Sequence, residues 1–293
     1  MRFEKNWQVD NQKMIKLSRD RNTKTIHKNF KGEIRISFNL ELLREHLEIL
    51  SGIREKHNFI SKRWSVAKKQ LFAETHNKCA YCETPTKVVA HGDVEHYRPK
   101  SIYWWLAYSY ENYLVSCAIC NEIHKKDQFP IAGNRLLPPL LSTDTGTVEL
   151  ERLAVSLNPD SFNALAGQDY ETFLNLHQAE QPLLINPYYD DPADFFAFEV
   201  DHILRTVDII PINEGVMHVV KTTIEVYGLN RTEVSFLRYE VFIAYDTHRR
   251  TLLDNGISEI TRNLNDMAIQ RMKASSSAFT GMVIYFEKVF NRM

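Results

Sequence analysis

The sequence lacks the features that mark several specialised protein classes. Glycine and proline number only 10 each among 293 residues, which excludes collagen-like repeats and low-complexity disorder as the main content. No apolar stretch approaches the roughly 20 residues that a membrane-spanning helix needs, and the first residues hold no apolar run typical of a secretory signal. Four cysteines are few for a disulfide framework. We therefore expect a cytoplasmic globular protein with no membrane association.

The net charge is close to zero, but the two signs are unevenly distributed. Residues 1–130 hold 23 Lys and Arg against 15 Asp and Glu, an excess of +8, while the remaining 13 basic and 22 acidic residues give −9. A basic first part is typical of a chain that contacts a polyanion, although solvated surfaces also acquire such imbalances by chance. Composition therefore points towards nucleic acid without establishing it.

Periodicity predicts an α+β fold that is mostly helical, in three regions. Residues 1–75 form a basic, polar N-terminal arm followed by helices, one of them over 39–57. Residues 76–135 are dense in Cys, His, Tyr, Trp, Asn and Lys, the residue types that carry chemistry. Residues 136–293 begin as a mixed region and end in a helical tail; its strand-like runs cover 183–185, 195–200 and 206–210, and its helical runs cover 216–227, 233–249, 258–273 and 277–290.

The cysteines form two pairs of identical spacing. Cys79-Ala-Tyr-Cys82 and Cys117-Ala-Ile-Cys120 are separated by 34 residues, and the chain has no other cysteine. Two thiolates three residues apart can bind one tetrahedral Zn²⁺, and two such pairs complete its shell. Redox chemistry of the thioredoxin type needs one pair on a βαβ unit, which the pattern does not indicate. The spacing predicts a structural zinc, which has no open position for a substrate.

Between and just after the cysteine pairs, the pattern predicts two strands followed by a helix. Val88-Val89 and Val94 favour a strand pair that delivers Glu95-His96 at a strand end, and a helix begins near Asn121. Because consecutive strand residues point to opposite faces, the Glu-His pair shares one site only where the strand ends or bends.

This order of elements suits a phosphodiesterase that uses one metal ion. Mg²⁺ or Mn²⁺ prefers oxygen ligands, here Glu95 and the Asn121 amide, and would stabilise charge on the scissile phosphate. Neutral His96 takes a proton from the attacking water as general base, and Asn112 holds the His96 region in its working orientation. The residues expected to meet backbone phosphates are Arg98, Lys100, Lys125 and Lys126.

A longer set of motifs runs through residues 79–250. It comprises Cys79-x-x-Cys82, Val94–Ser101, Asn112, Ser116–Lys125 and Phe129-Pro130, then Leu183–Tyr188, Asp190-Asp191-Pro192, Phe196 and Tyr227-Gly228-Leu229-Asn230-Arg231. This set resembles the HNH endonucleases of the ββα-metal fold, and within them the PtuB-like nuclease subunits of Septu-type and retron-associated bacterial antiphage systems.

The resemblance implies His96 as general base, Asn112 as the central asparagine that shapes the loop, and Glu95 and Asn121 as ligands of the catalytic ion. It places the structural zinc on Cys79, Cys82, Cys117 and Cys120. Two positions depart from the common HNH pattern: many of these enzymes have Asp in place of Glu95 and His in place of Asn121. His124, three residues further on, is therefore an alternative metal ligand.

The resemblance also implies a partner, an ABC-type, PtuA-like ATPase subunit, with the N-terminal arm or the acidic tail as docking sites. The sequence has no Gly-x₄-Gly-Lys-[Ser/Thr] phosphate loop, so it is not expected to hydrolyse ATP by that route. We predict a metal-dependent HNH endonuclease that cleaves DNA as the effector of an antiphage complex. Two alternatives stay open: a non-catalytic zinc module that binds nucleic acid or protein, and an HNH restriction nuclease or RNase with another target.

Overall fold

The computed structural model describes residues 16–20, 24–86, 92–160 and 170–291. Most of the regular structure in these residues is helical, and two small antiparallel sheets accompany the helices, in agreement with the predicted α+β class. The α-helices are α1 (Gly32–Leu50), α2 (Lys62–Ser65), α3 (Lys68–Glu74), α4 (Thr147–Ser156), α5 (Tyr170–Glu180), α6 (Met217–Tyr227), α7 (Thr232–Leu253), α8 (Glu259–Met272) and α9 (Thr280–Phe290). None of the described helices is both long and apolar enough to cross a membrane.

Each sheet consists of two strands. The first pairs β1 (Asp93–His96) with β2 (Tyr113–Ser116), and the second pairs β3 (Phe196–Asp201) with β4 (Thr206–Pro211). The predicted partner strand at Val88-Val89 lies outside the described residues. Within them β1 pairs with β2, which reaches it across a loop that contains two short 3₁₀ helices, Trp104–Leu106 and Tyr110–Asn112.

The tail follows its sequence pattern closely, with one exception. The runs at 195–200 and 206–210 become β3 and β4, and the four helical runs become α6 to α9. The run at 183–185 is not a strand, so that prediction is wrong. The Leu183 amide donates to the carbonyl of Pro130 (2.9 Å) and the Ile185 amide to the Thr223 hydroxyl (3.1 Å), which ties this segment to two other elements instead of a ladder.

Local backbone chemistry sets the helix ends. The helix predicted over 39–57 is α1, which ends at Leu50 because the chain turns at Gly52 with a φ of +75°. The C-cap of α6 is Gly228 in the left-handed conformation. At the start of α8, the Ser258 hydroxyl accepts a hydrogen bond from the Thr261 amide.

The core consists of one large apolar cluster and a smaller one beneath the first sheet. The large cluster contains the buried cysteines together with side chains from α6, α7 and α9, so residues 76–135 and the tail share one interior. The small cluster packs Phe30, Leu71 and Phe72 against Tyr113 and Val115 of β2. The first sheet therefore lies between two apolar layers, which fixes the position of its strand ends.

Residues 16–20 show how part of the basic N-terminal arm packs; residues 1–15 and 21–23 of that arm lie outside the described residues. The Arg19 guanidinium is buried, 3.2 Å from a Glu74 carboxylate oxygen and 3.6 Å from the centre of the Tyr188 ring. Its pKa is raised because the nearby Tyr188 and Glu74 outweigh the opposing effect of burial. This segment is thus anchored to the protein at Arg19.

Candidate functional site

The site residues lie at the end of β1 and along the helix that follows β2. In the register of the first sheet Glu95 is opposite Leu114 and His96 is opposite Tyr113. The side chains of Glu95 and His96 make separate contacts, as the alternation of a strand requires. The two predicted site residues are therefore adjacent in sequence but occupy different environments.

One nitrogen of the His96 ring is hydrogen-bonded, and the other has no hydrogen-bond partner in the part of the chain that the structure describes. Nε2 lies 3.0 Å from the carbonyl oxygen of Ala107, which can only accept, so Nε2 carries the hydrogen. Nδ1 has no hydrogen-bond partner among the described residues. It is also absent from the fully buried polar atoms that lack a partner, so it keeps some access to solvent. The backbone thus holds His96 in the tautomer that leaves the Nδ1 lone pair available to a water molecule.

The surroundings of His96 keep it uncharged and restrict its rotation. Its pKa is lowered to about 3, mainly by burial; the positive charges of Lys100 and Lys125 add to the shift, and the bond to Ala107 opposes it. The ring is 6% exposed and sits edge-to-face with Trp64 and Tyr113, each with ring centres 5.0 Å away. Sequence reasoning had not singled out Trp64, which is half-buried on α2.

Asn112 connects the two ends of the loop that follows His96. Its Oδ1 accepts from the Arg98 amide (2.8 Å) and its Nδ2 donates to the Arg98 carbonyl (2.9 Å), while its own carbonyl accepts from the Tyr97 amide (2.9 Å). Nδ2 also lies 3.4 Å from the carbonyl oxygen of Leu106, one residue before Ala107. The Asn112 side chain therefore acts on the backbone around His96, and none of its hydrogen bonds within the described residues goes to the His96 ring.

Glu95 is buried beside a lysine from the helix Ile119–Lys125. Its Oε1 forms a buried ion pair with the Lys125 ammonium at 2.5 Å, and Lys125 also donates to the His96 carbonyl (3.1 Å). Burial raises the pKa of Glu95, and the charge of Lys125 counteracts this. The carboxylate predicted to bind the catalytic cation is thus already paired with Lys125, and in this structure that lysine occupies the position next to its Oε1.

Two of the four cations expected to contact phosphates are internal. Arg98 donates to Glu180 (2.7 Å) and to Nδ1 of His177 (3.0 Å), and all three side chains are buried. Lys125 is equally buried against Glu95. Neither charge faces a nucleic acid in this structure, because each is held in a buried ion pair. The other two are more accessible: Lys126 is exposed, and half-buried Lys100 lies 5.7 Å from the Trp64 ring centre.

The helix Ile119–Lys125, which begins just after the second pair's Cys117, is a π-helix, and its last turn closes through a bond from the Lys126 amide to the Asn121 carbonyl (2.7 Å). Asn121 is half-buried, and no contact within the described residues joins its side chain to Glu95. The His124 ring packs against Gly228 of the tail, where an added Cβ would lie 2.5 Å from it. Both Asn121 and His124 stay predictions as metal ligands.

The four cysteines converge. Their sulfur atoms all lie within 4.8 Å of one another, and three of the four residues are buried. A tetrahedral Zn²⁺ with Zn–S bonds of about 2.3 Å would place its sulfurs about 3.8 Å apart, so the cluster fits a metal ion such as zinc. We call the turns that carry Cys79–Cys82 and Cys117–Cys120 the first and second knuckle. The Cys120 amide lies 3.4 Å from the Cys117 sulfur, and Glu83, just after the first knuckle, has a φ of +58°. Both features bend the backbone around the sulfurs.

A cation from the tail faces this cluster. Arg231 Nη1 lies 3.4 Å from the Cys120 sulfur, and Nη2 lies 3.7 Å from that of Cys82 and 4.0 Å from that of Cys117. Burial alone would lower the pKa of Arg231, but Cys120 and Cys82 raise it overall. The motif Tyr227–Arg231 marked the family resemblance, yet nothing in its spacing indicated that its arginine meets cysteines more than 100 residues away.

Comparison with curated proteins finds Septu protein PtuB from Bacillus mycoides (strain KBAB4), which is 29% identical to this chain over 208 residues. The matched segment covers 66% of this chain and 56% of that protein, so the chain spans little more than half the length of this relative. No protein-family profile matches the chain, and no solved structure matches it. The similarity to Septu protein PtuB nevertheless extends over 66% of the chain and supports the PtuB-type Septu assignment that its motifs predict.

Proposed function

We propose that this chain is an HNH-type endonuclease that hydrolyses phosphodiester bonds in DNA, as the effector of a bacterial antiphage defence complex. The observation that carries the proposal is the state of His96: neutral, held by the Ala107 carbonyl through Nε2, and with Nδ1 free of partners among the described residues. A general base in a hydrolase needs a lone pair of this kind in a fixed orientation.

The surrounding elements support the proposal. An antiparallel strand pair is followed by a helix, with a cysteine pair before β1 and another after β2, which is the order that the HNH resemblance implies. The similarity to Septu protein PtuB supports a role in antiphage defence. An ABC-type ATPase subunit as partner follows from the same resemblance.

The chemistry assigned to the chain's own residues is a single displacement at phosphorus. His96 Nδ1 accepts a proton from a water molecule while the water oxygen bonds to phosphorus and the bond to the leaving oxygen breaks. Ala107 keeps the ring in one tautomer, and Asn112 keeps the loop that carries Ala107 in place. Lys100 and Lys126 supply positive charge for neighbouring phosphates.

Two metals belong to the proposal in different ways. Zinc fits the four cysteines and would hold the two knuckles together without reacting. Mg²⁺ or Mn²⁺ at Glu95 and Asn121 is a prediction from sequence, and we assign no step to it because Lys125 is paired with the carboxylate. Dependence of cleavage on either ion is therefore one of the measurements below.

The deciding experiment compares wild type with His96→Ala. Both are purified with zinc and incubated with plasmid DNA, single-stranded DNA or tRNA, with and without Mg²⁺ or Mn²⁺ and in the presence of the partner ATPase. We expect DNA cleavage by wild type and a loss of about 10²- to 10⁴-fold in His96→Ala, with zinc content and circular dichroism unchanged. If wild type is as inert as the variant on every substrate, the nuclease proposal is wrong; cleavage of tRNA alone would make it an RNase.

One observation favours the non-catalytic alternative. The His96 ring is 6% exposed and packed between Trp64 and Tyr113, which also suits a structural histidine. In a zinc-dependent binding module, His96→Ala would leave nucleic-acid or partner binding and antiphage protection intact, whereas Cys82→Ser would abolish both by unfolding the knuckle. Phage protection in cells that carry each variant separates the two functions.

A further inference from the structure

The segment Tyr227–Arg231, which we call the clasp, is the part of the tail that lies over the cysteine cluster. The Tyr227 ring stacks on Tyr81 of the first knuckle, with ring centres 3.8 Å apart and planes inclined by 14°. Gly228 lies against His124, just after the second knuckle. The clasp therefore contacts both halves of the metal centre from one side.

The backbone conformation of Gly228 sets the position of the clasp, and a residue with a side chain would be strained there. Its φ of +62° is in the left-handed region that favours glycine, and an added Cβ would approach the His124 ring to 2.5 Å. In this conformation the Gly228 carbonyl accepts a hydrogen bond from Arg231 Nη1 (2.8 Å). The turn that ends α6 thus also sets the direction of the guanidinium.

The same guanidinium faces three of the four sulfurs. Nη1 lies 3.4 Å from Cys120, while Nη2 lies between Cys82 at 3.7 Å and Cys117 at 4.0 Å. The planar fork therefore reaches both cysteine pairs at once, which a single ammonium does not do. No carboxylate within the described residues forms an ion pair with Arg231, so its guanidinium is shared between the Gly228 carbonyl and the three sulfurs.

The positive charge of Arg231 would stabilise the negative charge of a zinc–cysteine cluster. Zinc bound by four thiolates carries a net charge of −2, and half-buried groups of that charge are stabilised by a nearby cation. Groups that hydrogen-bond or neutralise metal ligands from outside the coordination shell typically change metal affinity 10- to 100-fold. Arg231 is held in such a position by residues of its own segment.

We propose that Arg231 is a positioning residue for the metal centre, whose guanidinium stabilises the zinc–cysteine cluster and couples it to the tail helices α6 and α7. This inference rests on the proposed zinc site. It assigns the clasp a role in zinc retention that is separate from phosphodiester hydrolysis. Loss of zinc should accordingly loosen not only the two knuckles but also the helices on either side of the clasp.

The test measures zinc release and needs no nuclease assay. Full-length wild type, Arg231→Gln and the control Arg250→Gln are purified with zinc and mixed with a chromogenic chelator. Arg250 is an exposed α7 arginine paired with Asp246. We expect zinc transfer to be faster from Arg231→Gln, because its metal affinity falls by about 10- to 100-fold, and unchanged in the control. Equal release rates for all three proteins would overturn the proposal.

Two further measurements keep the outcome decisive. If Arg231→Gln fails to fold, Arg231→Lys takes its place, because lysine retains the charge but loses the planar fork. Zinc transfer faster than in wild type supports the proposal, and transfer at the wild-type rate overturns it. Hydrogen exchange in α6 and α7 should accelerate when zinc is removed from wild type; no change there would refute the coupling. If wild type binds no zinc at all, the proposal is overturned together with the zinc site, while the proposed nuclease activity stays open to its own assay.

Discussion

The region that holds the candidate site and the α7–α8 hairpin place their polar and apolar side chains in opposite ways. Within residues 93–126, which we call the site region, several charged and amide side chains lie inside the protein and are bonded there, among them Arg98, Asn112 and Lys125. On α8, the apolar side chains of Ile260, Leu264 and Met267 are 74%, 62% and 67% exposed.

This difference shows that buried polar interactions fix the geometry of the site region, whereas exposed apolar side chains on α8 do not. A buried ion is stable only if it is paired, so each polar group in the site region fixes the position of another. Lys125, for example, holds both the Glu95 carboxylate and the His96 carbonyl. The exposed side chains of α8 constrain nothing of this kind, and their loss should be tolerated. Four substitutions test the contrast, beginning with the largest expected effect.

Removing the charge of Lys125 should be the most damaging. Lys125→Met leaves Glu95 buried without its partner, and we expect the free energy of unfolding at pH 7 to fall by about 3–5 kcal/mol in urea titrations. Lys126→Met is the matched control: the neighbouring lysine is exposed, and its loss should stay within about 0.5 kcal/mol. Lys125→Met combined with Glu95→Gln should recover part of the loss. Equal effects of Lys125→Met and Lys126→Met would show that the site region has no buried ion pair.

Asn112→Ala should have the next largest effect. It leaves the amide and the carbonyl of Arg98 without their side-chain partner in a buried setting, and we expect a loss of about 2–3 kcal/mol in the same urea titration. Asn112→Asp retains the acceptor for the Arg98 amide but not the donor for its carbonyl, so its loss should be smaller. If both variants unfold like wild type, Asn112 does not shape the loop around His96.

The contrast between the regions also explains which features were predictable from sequence. The cysteine pairs and the adjacent Glu95-His96 are local signals, and the structure brings the four sulfurs together as their spacing predicts. The helices of the tail follow from a 3.6-residue period because their buried faces are apolar. Both kinds of feature depend on residues close together in the chain.

The burial of particular charges was not predictable, because it depends on distant residues. Arg98 contacts Glu180, 82 positions later on α5, a helix that the sequence analysis did not predict within its mixed region. Lys125 lies on a π-helix, a helix type that no sequence period indicated, and from there it contacts Glu95 on β1, 30 positions earlier. A basic residue in a nuclease-like motif predicts a phosphate contact, and long-range packing can override that prediction.

A histidine pair that packs on Trp104 of the site region gives a pH-dependent test. His57 lies 3.3 Å from His46, and both rings stack on Trp104. Burial, followed by the charges of His46 and Arg54, lowers the pKa of His57 to about 4, below its unfolded value near 6.5. Because the unfolded chain binds a proton first as the pH falls from 6.5 to 4, stability is lost in that window.

The expected size of this loss is of the order of 2 kcal/mol between pH 7 and pH 4. It is measured as the difference in urea midpoint between wild type and His57→Phe at each pH, since titrating groups distant from the His46–His57 pair contribute equally to both proteins. The phenylalanine retains an aromatic ring against Trp104 but cannot bind a proton. A difference that does not change with pH would mean that His57 titrates alike in the folded and unfolded chain.

The smallest effect is expected on α8, and it completes the comparison. Leu264→Ala removes a side chain that is 62% exposed, so the unfolding free energy should change by less than about 0.5 kcal/mol. The matched change in the site region is Leu114→Ala on β2, opposite Glu95 and fully buried, where a loss of about 2–5 kcal/mol is expected. Urea unfolding of both variants at several protein concentrations checks the difference. A concentration-dependent loss at Leu264 comparable to that at Leu114 would mean that a second molecule covers this face of α8 in solution, and the contrast with the site region would then hold only for the isolated chain.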